Sequence, residues 1–293
     1  MRQVLGDRKT IAALLAPALI TYSAVMLAPM LWSLGYTFFS GSPVRGFTWS
    51  GLANFAELFK DPKTKDAIAF TAKYALTITT GQVALGYLLA LLYVFYLKRS
   101  STLIRTLTFF PVVLPTVAVS LLFQKLFEIA PATGPVNSAL EALGGEAVNW
   151  FGSGSNAFWV IAIMDIWRSM GFYAVLLYAG LVDIPEDVIE SARLDGAGGW
   201  RLARFIVFPM SWPVLISALI FSINGTLKVF DSIYALTGGG PGSQTTPLTL
   251  YMYRTAFAYG DYGYGSSIAL LLTMLCLVVT VFMFRGTRKD LTA

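Results

Sequence analysis

The sequence predicts an all-α membrane protein with six transmembrane helices. Three observations carry that prediction. Hydrophobic residues make up 56% of the 293 residues and charged residues 13%, against about 25% charged in an average soluble domain. Charge is also absent from long runs: residues 10–44, 106–124, 205–227 and 262–284 hold no Asp, Glu, Lys or Arg. A helix needs about 20 apolar residues to cross a bilayer at 1.5 Å rise per residue. The remaining basic residues, finally, divide unequally between alternate loops.

The six spans are read at about 11–39, 68–96, 104–124, 156–180, 206–235 and 264–285. Helix is the expected form, because a segment in lipid must satisfy its own backbone hydrogen bonds. Barrel strands would alternate in polarity over about 10 residues, and these runs are continuous. The first run exceeds the 7–15-residue core of a signal peptide and is expected to stay as an uncleaved first helix. Pro17, Pro29, Pro111 and Pro115 fall inside spans, where packed neighbours can satisfy the freed carbonyls. The loop 40–66, with Trp49 and Phe55, has room for a short helix, and the loop 125–155 for another near Ser138–Leu143.

Six spans put the loops on alternate sides. Arg2, Arg8, Lys9, Lys98, Arg99, Arg105, Arg193, Arg201, Arg204, Arg285, Arg288 and Lys289 fall on one side; Arg45, Lys60, Lys63, Lys65, Lys125 and Arg254 fall on the other. The positive-inside rule then places both termini in the cytoplasm. The formal charge of +5 is explained by this topology and calls for no nucleic acid. With no histidine and a single cysteine, Cys276, the chain forms no internal disulfide, holds no Cys/His zinc site and builds no Ser–His triad. No G-x-x-x-x-G-K-[ST] occurs, so a P-loop for ATP is absent.

One cytoplasmic loop, residues 182–205, keeps an unusual polar content: "VDIPEDVIESARLDGAGGWRLARFIVFP" between two apolar runs. Pro185 disfavours helix at Ile184 and opens a new one, with Asp183 expected as its N-cap. Glu186 and Asp187 suit the positive end of that helix. A short helix to Leu194 is expected, then a sharp turn at Gly196, Gly198 and Gly199, then a second helix from about Trp200 leading back into the membrane. The plain reading is a solvated connector.

The pattern Glu190-Ser191-Ala192, three residues, Gly196, nine residues, Ile206-x-Phe208-Pro209 resembles the EAA loop of ABC importer permeases, and its flanks resemble the carbohydrate branch. Ser191 and Phe208 depart from the usual Ala and Leu. The resemblance implies a type I importer permease spanning residues 1–293 as a single transmembrane domain. It implies that the loop is a coupling helix docking on a cytoplasmic ATPase through Glu190, Ser191, Ala192, Asp195 and Gly196. In this picture Glu190 pairs with a basic group of the ATPase, Ala192 allows close backbone approach, and Asp195 caps the second helix or pairs with Arg193 or Arg201. The implied partners are a second homologous permease, two ATPase subunits carrying ATP and Mg, and an extracellular solute-binding protein, in the cytoplasmic membrane of a bacterium or archaeon. This chain itself would bind no cofactor and catalyse no reaction. The run "LTGGGP" (Leu236–Pro241) resembles one of the two permease types and would help contact the binding protein; its plain reading is a flexible turn.

Charges inside spans mark either internal ion pairs or a solute path. Asp165 and Arg168 lie three apart and fit a structural pair. Asn224, Lys228, Asp231 and Tyr234 follow at four- and three-residue spacing, which on one helix makes a polar stripe ending in an aromatic. Such a stripe suits a sugar, with hydroxyls for the polar groups and an apolar face for the ring. Lys228 also leaves a phosphorylated polyol open, and an amino acid is a further alternative. An ion-coupled carrier acting alone would use the same charges but leaves the 182–205 loop without a role.

Overall fold

The protein is described by a computed structural model covering residues 8–97, 101–131 and 133–290. Arg2, Lys98 and Arg99 of the topology count lie outside the described residues, as do the side chains of Arg8, Arg288 and Lys289. Among the described residues, five helices are long and apolar enough to cross a membrane: Lys9–Tyr36, Pro62–Phe95, Gly154–Val182, Trp200–Thr226 and Tyr262–Arg285. The pair Ser101–Val113 and Thr116–Leu126 makes a sixth crossing if taken as one bent span. These six are numbered here as first to sixth span in chain order.

The described chain forms two compact units, Met1–Thr64 with Met252–Leu271, and Lys65–Tyr251 with Leu272–Ala293. The smaller unit holds the first span and an element absent from the sequence reading, an antiparallel hairpin of Phe39–Ser42 and Gly46–Trp49, in which Phe39 pairs with Trp49. Gly41 and Gly46 supply its positive φ angles of 120° and 83°, which a Cβ disfavours. The expected short helix of the 40–66 loop follows as Ala53–Lys60. Buried Asn54 ties it down, its Nδ2 donating to the carbonyls of Thr37 and Phe39, both at 2.9 Å. Tyr264 Oη donates to Asp61 Oδ2 at 2.7 Å.

The larger unit holds the second to fifth spans. Two of its features correct the sequence reading. The run 104–124 is not one straight helix: its halves meet at 95°. Pro115 lacks an N–H and biases Leu114 away from helix, so the break falls at these two residues, with Pro115 at φ −57° and ψ 128°. Pro111, inside the first half, is accommodated. The fifth span, in turn, does not reach residue 235. It ends at Thr226, and a separate helix begins at Asp231 and closes at Leu236. Asn224-Gly225 is a pair suited to helix ends. The carbonyl of Val229, freed by the break, accepts from Thr249 Oγ1.

Packing between spans is close where glycine permits it. A Cβ at Gly171 of the fourth span would overlap the main-chain oxygen of Thr108 in the third. One at Gly86 of the second span would lie 2.7 Å from the Tyr173 Cβ. Lipid supplies no hydrophobic force to press helices together, so small residues that allow backbone approach carry much of the association. Gly171→Val should therefore destabilise the fold by about 1–3 kcal/mol or more, while Gly35→Ala, with nothing within 4 Å of its Cβ position, should leave it unchanged. Thermal unfolding monitored by size-exclusion in detergent distinguishes the two.

Candidate functional site

The loop between the fourth and fifth spans folds as a short helix, Glu186–Leu194. Pro185, with ψ 135°, precedes it as N-cap and makes no side-chain cap. Asp183 is the C-cap of the fourth span, not the expected N-cap: the span runs to Val182, and only Ile184 and Pro185 separate its cap from Glu186. Glu186 and Asp187 occupy the first turn and Arg193 the last, each matching the helix dipole.

Its end is a Schellman motif. Gly196 N–H donates to the Arg193 carbonyl at 3.0 Å, Ala197 N–H donates to the Ala192 carbonyl at 2.9 Å, and Gly196 sits at φ 81°. This satisfies carbonyls that a helix end leaves open, and it needs a residue tolerant of the left-handed region. Gly199, at φ 51°, precedes the return helix that starts at Trp200.

The helix has two faces. Ala192 is 8% exposed and joins a core cluster with Leu181, Ile184, Leu202 and Val207. It therefore packs against this chain's own core. Glu190, Ser191, Asp195 and Gly196 are exposed. Asp195 makes no ion pair with Arg193 or Arg201 among the described residues. Two exposed apolar side chains flank this face, Leu194 at 89% and Trp200 at 78%. The sequence reading missed both; an apolar residue one step off the buried register was the available signal.

The second site is a cavity of about 270 Å³ within the larger unit, lined by Asp165 and Arg168 of the fourth span, Gln82 of the second, Ser222 of the fifth, and Lys228 and Asp231 at the break. The break separates the expected stripe. Lys228 and Asp231 reach the cavity, whereas Asn224 donates to the Ile220 carbonyl at 2.9 Å and accepts from Thr280 at 3.0 Å. Tyr234 lies on the helix beyond the break, half exposed and stacked on Phe230 with centroids 5.3 Å apart. Lys228 and Asp231 form no ion pair with each other among the described residues.

A hydrogen-bonded wall backs the cavity. Asp165 Oδ2 accepts from Tyr74 Oη at 2.6 Å and from Ser232 Oγ at 2.9 Å. Arg168 Nε lies 4.0 Å from Asp165 Oδ1. Gln82 Nε2 donates to Ser222 Oγ at 2.5 Å, Ser222 donates to Thr79 at 3.0 Å, and the Thr79 and Thr226 hydroxyls are 3.1 Å apart. Thr79 and Gln82, three apart, and Ser222 and Thr226, four apart, are the helix-face signals that would have found this wall.

The glycine-rich segment is more than a plain turn. Thr245 Oγ1 donates to the Gly240 carbonyl and Thr246 Oγ1 to the Gly239 carbonyl. Gln244 Oε1 accepts from Gly154 N–H at 2.8 Å, at the start of the fourth span.

The described residues thus combine membrane-length helices, a polar internal cavity and a loop helix rooted in the core. Residues 82–287 match the family described as binding-protein-dependent transport system inner membrane component, and the chain belongs to that family, whose members are multi-pass membrane permease subunits of ABC transporters. The chain is 35% identical to the sulfoquinovosyl glycerol transport system permease protein of Agrobacterium fabrum, over 98% of this chain and 93% of that protein. It is 35% identical to the trehalose/maltose transport system permease protein of Thermococcus litoralis, over 81% and 79%, and 30% identical to the lactose transport system permease protein of Rhizobium radiobacter, over 94% and 92%. Its fold matches a chain in the crystal structure of a bacterial ABC transporter involved in the import of the acidic polysaccharide alginate, with TM-score 0.85, 23% identity and 98% of both chains covered.

Tyr74→Phe removes one of the two donors to Asp165 and should lower stability by about 1–3 kcal/mol. Asp165→Ala strands Tyr74, Ser232 and Arg168 together and should cost about 3–5 kcal/mol. Thermal unfolding of the purified protein ranks the two variants.

Proposed function

We propose that this chain is the transmembrane permease subunit of an ATP-driven importer that carries a sugar or sugar-like solute into the cytoplasm. In this reading residues 1–293 act as one permease domain beside a second, homologous permease. Two ATPase subunits bind ATP with Mg and hydrolyse it, an extracellular binding protein delivers solute, and both termini face the cytoplasm. The relatives, which are named for sulfoquinovosyl glycerol, trehalose/maltose and lactose transport, support the solute class. A structural neighbour, bacterial alginate ABC transporter in complex with alginate pentasaccharide-bound periplasmic protein, supports the delivering partner.

The observation that carries the proposal is the loop helix Glu186–Leu194. Its exposed edge offers Glu190, Ser191, Asp195 and Gly196, while Ala192 anchors it in the cluster that continues into the fifth span. A partner that pulls on this edge moves the span directly. ATP binding closes the two ATPase subunits; the docked helices follow, and the paired permeases turn from inward-facing to outward-facing. Within the chain, the cavity with Lys228 and Asp231 is the solute passage, while Asn224 and Tyr234 stand outside its lining. No bond is made or broken on this chain.

Solute-stimulated ATPase activity of the reconstituted assembly, screened across sugars, tests the reading. Glu190→Lys should keep the assembly in the membrane and cut stimulation about tenfold or more, as expected for reversing one charge-assisted contact of about 1.5–3 kcal/mol. Gly196→Pro should have the same outcome, because proline cannot adopt the left-handed conformation and lacks the N–H that closes the motif. Full stimulation in both variants removes the coupling role.

A further inference from the structure

Three of the four charged residues that line the cavity differ in how the backbone treats them. Asp231 opens the helix Asp231–Leu236, where the helix start favours a carboxylate. Lys228 follows the end of the fifth span at Thr226, where free carbonyls favour a cation. Arg168 lies in the middle of the fourth span, Gly154–Val182, and gains nothing from either end.

Among the described residues Arg168 forms the expected ion pair with Asp165, at the outer limit of such contacts, and Asp231 lines the same cavity. Asp165 has Oδ2 occupied by Tyr74 and Ser232. Its Oδ1 stands 4.0 Å from Arg168 Nε, beyond hydrogen-bond reach. Arg168 Nε is shielded from solvent and has no hydrogen-bond partner. The guanidinium makes no hydrogen bond to any described residue, although it carries five N–H donors. Its side chain is a quarter exposed, and it lines the cavity. A mid-span cation costs about 2.5–3.5 kcal/mol and must face protein, water or solute. A neutral hydroxyl offers it one weak acceptor. A carboxylate, sulfonate or phosphate offers two oxygens at the spacing of the guanidinium fork. Tyr173, Phe230, Gln82 and Ser169 share the lining and supply ring faces and polar groups for the rest of a sugar.

Building on the sugar-importer reading, we propose that Arg168 recognises a negatively charged substituent on the solute, so that the cargo is an acidic sugar. Lys228 adds a second positive charge to the same cavity, which the carboxylates Asp165 and Asp231 also line.

The test uses the assembled transporter in nanodiscs, without binding protein or nucleotide, so that the binding protein's own preference plays no part. Saturation-transfer NMR compares D-glucuronate, glucose 6-phosphate and glucose 6-sulfonate with D-glucose. At least one acidic sugar should bind at about tenfold lower concentration than glucose, and the three arms identify which anion fits. Arg168→Gln should bring that sugar and glucose to parity, and Arg168→Lys should keep part of the preference. If the Gln variant does not assemble, the wild-type preference and the Lys variant carry the test. Equal binding of glucose and all three acids overturns the proposal, as does a preference that survives Arg168→Gln, displacement by acetate as effective as by glucuronate, or no binding of any sugar. Stimulation of the reconstituted ATPase by neutral sugars, with no acidic preference in the cavity, leaves the importer reading standing and removes this one. Absence of stimulation by every sugar removes both.

Discussion

Three helices of the larger unit meet on one carboxylate. Asp165 belongs to the fourth span, Tyr74 to the second, and Ser232 to the short helix past the break. A buried carboxyl group without hydrogen-bond partners is costly anywhere and more so in lipid, so these elements must stay together. The same logic extends along the interface of the second and fifth spans, through Thr79, Gln82, Ser222 and Thr226, to the Tyr87–Ser211 contact at 2.8 Å. Apolar side chains cannot select such an arrangement, because lipid tails offer them equivalent surroundings. Directed hydrogen bonds and glycine-mediated approach therefore define which helices touch, and the cavity is the space enclosed by that wall.

Much of this was legible in the sequence. Charge-free runs located the spans, because the penalty for a charge in lipid is large and local. Hydropathy did not reveal their interruptions. The bend at Leu114-Pro115 and the end of the fifth span at Thr226 are backbone events inside uniformly apolar or nearly apolar sequence, and a window average passes over them. Lys228 and Asp231 kept the spacing of one helix face, yet the break changes what that spacing means and separates Asn224 and Tyr234 from the cavity. The hairpin at residues 39–49 escaped notice because its strands are four residues each and have no buried face with regular alternation. In the loop, fixed motif spacing identified the helix and its glycine turn. The inward direction of Ala192 depends on where the fourth span stops, and that was not readable.

The loop helix and the fifth span are mechanically continuous. Ile184, Ala192, Leu202, Val207, Leu215 and Ala218 belong to one buried cluster, so the loop is seated against the bundle, not merely tethered to it. Close packing of this kind transmits displacement with little loss. The exposed edge is correspondingly free for another molecule, and Leu194 and Trp200 give it apolar surface beside the charged groups.

Between that edge and the bundle lies a single wide turn. Residues Ala203–Val207 are wound as a π-helix, as are Ser23–Leu27 and Arg254–Ala258. A π turn holds an additional residue compared with an α turn, and one residue in an α-helix corresponds to about 100° of rotation. The azimuth of everything on the N-terminal side of the turn is thus offset from the span by that surplus residue. Evolutionary deletion of one position here would rewind the helix and swing the exposed edge toward a different quarter of the compass, with every contact residue unchanged.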